Sequence, residues 1–92
     1  MEDKKDKIVS QLNNFMESDS EFWTEEFGCE KEDIVPDYGF GYTNEGNHIY
    51  YLAKDDAIEV PVDLEVLESS LQKCTTSDDY RNLIFWIYEQ SE

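Results

Sequence analysis

Between Tyr38 and Val62 the residues alternate between two chemical characters with a period of two, and this stretch constrains the fold more than any other. A strand turns successive side chains to opposite faces, so such a stretch can bury one set and leave the other outside. Tyr38-Gly39-Phe40-Gly41-Tyr42-Thr43 reads as one strand and His48-Ile49-Tyr50-Tyr51-Leu52-Ala53 as a second. Ala57-Ile58-Glu59-Val60-Pro61-Val62 reads as a third, and the turns between them are Asn44-Glu45-Gly46-Asn47 and Asp55-Asp56. With Glu45-Gly46 and Asp55-Asp56 as two-residue turns, Tyr42 opposes Ile49, Phe40 opposes Tyr51 and Tyr38 opposes Ala53. In the second hairpin Ala53 opposes Ile58, Tyr51 opposes Val60 and Ile49 opposes Val62. One face then collects these apolar residues, and a slip by one residue would scatter them over both faces. On the reverse face Tyr50 and Leu52 stand over Gly41 and Gly39, where a large side chain covers bare backbone. Pro61 suits an edge strand.

The flanks have helical spacing. Ile8, Leu12, Phe15 and Met16, with Val9 beside them, predict an amphipathic helix over residues 3–17. Ser18 and Glu21, three apart, have the pattern of a capping box ahead of Phe22, Trp23 and Phe27, and Gly28 suits a C-cap. Asp63 is placed as an N-cap before Leu64, Leu67, Leu71 and Cys74. Thr75, Thr76 and Ser77 interrupt that pattern. Asp78 and Asp79 then begin a last helix carrying Tyr80, Leu83, Ile84, Ile87 and Tyr88. Phe85 and Trp86 point away from that set, so this helix is either deeply buried or leaves an aromatic patch outside. The expected fold is α+β, one domain over residues 1–92, in the order ααβββαα, with a three-stranded antiparallel meander and helices on its apolar face.

Charge sets the chemistry. The chain has 23 Asp and Glu against 7 Lys and Arg, a net charge of −16. Solubility of a small domain needs only about 2–8 charges of either sign. Repulsion at this density opposes compaction, yet five Phe, six Tyr and two Trp argue against disorder. Nucleic acid and anionic membrane are excluded as direct partners, because phosphate binding needs Lys and Arg. Basic proteins, polyamines and metal cations fit. Cys29 and Cys74 form neither a disulfide framework nor a metal motif, and are expected as reduced thiols in a cytoplasmic protein, in the host cytoplasm if it is phage-encoded. The charged start and the lack of a long apolar run give no sign of a signal peptide or membrane span.

No catalytic constellation is visible. His48, the single histidine, lies beside a turn; Gly39 and Gly41 sit inside an alternating strand and form no phosphate loop. No segment has the ligand spacing of a calcium loop, and Glu30, Glu32 and Asp33, or Asp55 and Asp56, are better read as solvated carboxylates than as metal ligands. The expectation is therefore a protein that is not an enzyme and carries no metal or cofactor.

The acids are clustered. Residues 17–37 hold nine carboxylates and one lysine, residues 55–68 hold six and no base, and residues 1–16 are balanced. Helical neighbours three or four apart lie about 5–6 Å from each other, so Glu21 with Glu25 and Glu65 with Glu68 present rows of charge. The candidate partner-binding residues are Glu21, Glu25, Glu26, Glu30, Glu32, Asp33 and Asp37, then Asp55, Asp56, Glu59, Asp63, Glu65 and Glu68. Trp23 joins them as an aromatic anchor. In size, charge and clustered carboxylates the chain resembles the small acidic inhibitors of phages and mobile elements: nucleic-acid mimics, anti-restriction proteins and anti-CRISPR proteins. That resemblance implies an acidic decoy occupying the basic cleft of a DNA- or RNA-binding host protein. Two alternatives share parts of the pattern. One is an immunity protein or antitoxin that neutralises a basic toxin such as a nuclease. The other is a regulatory adaptor using Phe85, Trp86 and Tyr88 on the last helix. The oligomeric state is left open.

Overall fold

The computed structural model describes residues 4–43, 45–46 and 48–91. Asp3, expected to open the first helix, and Asn44 and Asn47 of the first turn lie outside the described residues. The elements are α1 (Lys4–Ser18), α2 (Ser20–Phe27), a 3-10 turn (Lys31–Asp33), α3 (Ile34–Tyr38), β1 (Phe40–Tyr42), β2 (Ile49–Ala53), β3 (Asp56–Glu59), α4 (Leu64–Lys73) and α5 (Ser77–Gln90). The architecture is α+β with an antiparallel sheet in the order β1-β2-β3. Ile8, Leu12 and Met16 of α1 meet Trp23, Ile34, Ile49, Val60, Leu67, Ile84 and Ile87 in a core from which water is excluded.

The first hairpin has the expected register, with Phe40 opposite Tyr51 and Tyr42 opposite Ile49. In the second, Tyr51 pairs with Ile58 and Ala53 with Asp56, so the turn is Lys54-Asp55 and the strands are offset by two residues from expectation. An offset of two leaves every side chain on its face, which is why alternation alone cannot detect it. Lys54 takes the left-handed conformation (φ 59°) that the first position of such a two-residue hairpin turn favours. Tyr38 is the last residue of α3 instead of the first of a strand, and its ring stacks on Phe27 at 4.3 Å. Pro61 falls beyond β3, the edge strand.

The expected capping box at Ser18 and Glu21 does not form. Ser18 closes α1 with its hydroxyl donating to the Phe15 carbonyl, and Asp19 stands at the N-cap of α2 without a side-chain capping bond. Arg81 takes the Asp19 carboxylate instead. The reciprocal box occurs at α5, where the Thr76 hydroxyl accepts from the Asp79 N–H and Asp79 accepts from the Thr76 N–H. Gly28 ends α2 in the left-handed region (φ 67°).

Gly39, which follows α3 instead of lying in the first strand as expected, and Gly41 within β1 differ in what confines them. A Cβ on Gly39 would lie 2.6 Å from the Val35 carbonyl oxygen, whereas one on Gly41 would meet the outer end of the Tyr50 ring at 2.6 Å. Backbone cannot yield, but a half-exposed ring can swing aside. Gly39→Ala is expected to cost about 1–3 kcal/mol and Gly41→Ala distinctly less. Urea titration of both variants checks this, and equal losses would contradict it.

Candidate partner-binding surface

The surface is built on an aromatic foundation. Trp23 contacts Phe22 (4.8 Å), Phe27 (5.4 Å) and Phe85 (5.5 Å) between ring centroids. Phe27 continues to Tyr38, while Phe85 continues to Tyr88 and so to Tyr51 and Phe40 on the sheet. One chain of rings thus ties α2, α3 and α5 to the meander. Trp23 is 0% exposed, so it is no surface anchor. Two residues from both Glu21 and Glu25, about 200° around the helix from each, it faces inward while they face outward. Its role is to hold α2 down. Phe85, Trp86 and Tyr88 are partly buried and pack against the same core.

Arg81 locks this platform from the side. Its Nε and Nη2 donate to the two Asp19 carboxylate oxygens, both at 2.7 Å, its Nη1 lies 3.5 Å from Asp78, and its guanidinium covers Phe22 at 4.3 Å. The Asp19 bonds raise the guanidinium further above its usual range. Its single positive charge thereby offsets Asp19 within the fold, with Asp78 as a looser, exposed neighbour.

The other acids of the first tract are not offset in this way. Glu21, Glu25, Glu26, Glu30, Glu32 and Asp33 are exposed, Asp37 is half-buried, and among the described residues none of them is in an ion pair. They follow the outer side of α2, the 3-10 turn and α3. The fold then adds the hairpin tip, because the Lys54 N–H donates to the Asp37 carbonyl at 2.9 Å. Asp55 and Asp56, both exposed, belong to that tip. A cleft of about 620 Å³ lined by Glu30, Asp33, Asp37, Cys29, Tyr38 and Lys54 lies where the two tracts meet. Burial pushes the Cys29 thiol up, and the charges of Asp33 and Asp37 add to the shift against a smaller opposing effect of Lys54. The thiol is therefore held protonated beside an acidic wall.

The remainder of the second tract goes elsewhere. Residues 56 and 59 are about 10 Å apart along β3 at roughly 3.3 Å per residue. Glu59 lies 3.2 Å from His48 Nδ1 on the sheet's outer face, and Glu68 lies 3.9 Å from Lys4. Asp63 and Glu65 are exposed at the start of α4, with Asp63 at the N-cap but making no side-chain capping bond. The sequence's two tracts thus become one platform of nine carboxylates (Glu21 to Asp37, with Asp55 and Asp56) and a separate, partly neutralised group. Lys54, which joins the tracts, carried no signal in the sequence beyond its place next to two aspartates.

Among the described residues no three His, Cys, Asp or Glu side chains converge as they would around a metal ion, and no helix is long and apolar enough to cross a membrane. Burial pushes the Tyr88 hydroxyl well above its ordinary value of 10.0, and Tyr51 and Glu26 push the same way. A proton kept in the folded state but released in the unfolded one makes stability fall as pH rises from about 10, by at most ~1.4 kcal/mol per pH unit. Tyr88→Phe is expected to flatten that part of the curve of urea midpoint against pH. An unchanged slope would assign the alkaline loss to other groups. No family model, no curated protein and no solved structure matches the chain.

Proposed function

We propose that the protein is an acidic decoy that binds the basic cleft of a DNA- or RNA-binding protein and blocks it by occupancy, with no catalytic step of its own. The observation that carries this reading is the platform. Carboxylates that are in no ion pair among the described residues, all exposed but for the half-buried Asp37, run from Glu21 to Asp37 and are joined by Asp55 and Asp56. Net charge of −16 already strains a compact fold, and arranging so much of it on one rigid support favours a surface that meets a cationic partner. Such a surface associates fast and weakens with salt. A nucleic-acid mimic of the phage or mobile-element type, acting as anti-restriction and anti-CRISPR proteins do, has this physics.

Competition tests it. Against a panel of restriction nucleases, CRISPR effectors and other nucleic-acid-binding proteins, the protein is expected to displace labelled DNA or RNA from one target and be displaced by excess nucleic acid in turn. Binding to a target whose nucleic-acid affinity stays intact would instead indicate an immunity protein or antitoxin seated beside the active site. The adaptor reading, based on the last helix, is weakened by the packing of Phe85 and Tyr88 into the aromatic chain.

A further inference from the structure

The sheet has two edges, and they are finished differently. In β1, Phe40 pairs with Tyr51 and turns its N–H and C=O away from β2. Asn13 of α1 meets both: its Oδ1 accepts from the Phe40 N–H at 2.8 Å and its Nδ2 donates to the Phe40 carbonyl at 2.9 Å. One side-chain amide thus imitates a neighbouring strand and seals that edge. At the other edge, the Val60 N–H donates to the Ile49 carbonyl, so by alternation Ile58 and Asp56 bond to β2 while Ala57 and Glu59 direct their N–H and C=O outward. Ala57 and Glu59 are exposed, and among the described residues β3 packs substantially on β2 alone.

We propose that this edge receives an extended basic segment of the protein partner as a fourth strand. Outward amides and carbonyls supply a ladder of hydrogen bonds, and the flanking acids choose what is added. Asp55, Asp56 and Glu59 surround the edge and no base lies between Asp55 and Glu68. A second copy is the wrong occupant. In an antiparallel pair centred on Ala57 of both copies, whose outward N–H and C=O then meet, Asp55 of one copy faces Glu59 of the other, and in a pair centred on Glu59 the two Glu59 side chains face each other; like charges opposite each other repel. Charge complementarity selects lysine or arginine on the incoming strand. The inference rests on the proposed reading of a basic partner and adds the backbone contact by which that partner is held.

The probe is a capped octapeptide of alternating lysine and valine, titrated calorimetrically at about 0.15 M salt. It is expected to bind and to slow hydrogen exchange of the Ala57 and Glu59 amides by about tenfold or more, leaving Ile58 little changed. Ala57→Pro removes only an outward N–H, which an edge strand tolerates, and is expected to weaken binding about tenfold or more. The same peptide with its central residues N-methylated keeps every charge and loses its donors, so it tests the idea on the unaltered protein and is expected to bind as weakly. Equal affinity for the methylated peptide, or no binding of the parent peptide, would overturn the inference. If Ala57→Pro still blocks a nucleic-acid-binding target while reversal of the carboxylates abolishes blocking, the added strand is refuted and the decoy reading stands.

Discussion

Glu25→Lys, Glu30→Lys and Glu32→Lys made together are expected to weaken binding to the target at least a hundredfold, about 2.8 kcal/mol. All three side chains are exposed and outside any ion pair among the described residues, so their replacement breaks no internal contact. Two unit charges 4 Å apart near a protein surface interact by about 4 kcal/mol, and close charge pairs across interfaces couple by about 1.5–7 kcal/mol. Three reversals turn attraction into repulsion, so a hundredfold is a lower bound. The loss should fall mainly on the association rate, and the slope of log affinity against log salt should become shallower. Fluorescence anisotropy at several salt concentrations measures both. A triple variant that binds as tightly, with the wild-type slope, would remove the platform from the interface.

Trp23→Ala is expected to cost about 3–5 kcal/mol, a large part of the roughly 5–15 kcal/mol that holds a domain of this kind together. The indole is the largest fully buried side chain and joins three other rings. Its loss leaves a cavity beneath the outward carboxylates of α2, and binding should fall because the platform loosens. Trp23→Phe is the informative companion. The Trp23 Nε1 is buried without a hydrogen-bond partner among the described residues, a state that costs about 1–3 kcal/mol. Phenylalanine removes that orphan along with some volume, and should lose less than half as much stability as alanine. Urea midpoints and near-ultraviolet circular dichroism separate the cases. If Trp23→Ala stays fully folded and loses binding alone, the indole is a contact residue after all.

Legibility followed periodicity. The facing of residues in the meander was readable because Phe40, Tyr42, Ile49 and Tyr51 sit on one face in any register of the right parity. The turn was not, because Asp55-Asp56 has the better turn chemistry, and pairing moved it to Lys54-Asp55. The 3-10 turn and α3 escaped notice since eight residues from Lys31 to Tyr38 are too short to show a helical period, and only Ile34 among them is fully buried. Capping at Ser18 fails because α1 runs on through Ser18, which leaves Asp19 at the N-cap of α2, where Arg81, 62 positions away, claims its carboxylate. The acidic tracts themselves were plain in the sequence. Their division, with Asp55 and Asp56 going to one side and Glu59 and Glu68 to another, depends on which way a hairpin points, and composition does not encode that.

Sealing one sheet edge with Asn13 and leaving the other open also fixes how many chains can join. A sheet with two free edges can grow without limit, copy after copy, into a filament. With β1 closed, growth on β3 stops after a single addition, since the first edge offers nowhere for the next chain. Asn13→Ala would unseal Phe40 and leave both edges open to addition. Asn13 therefore guards the valency of the molecule, holding it at one.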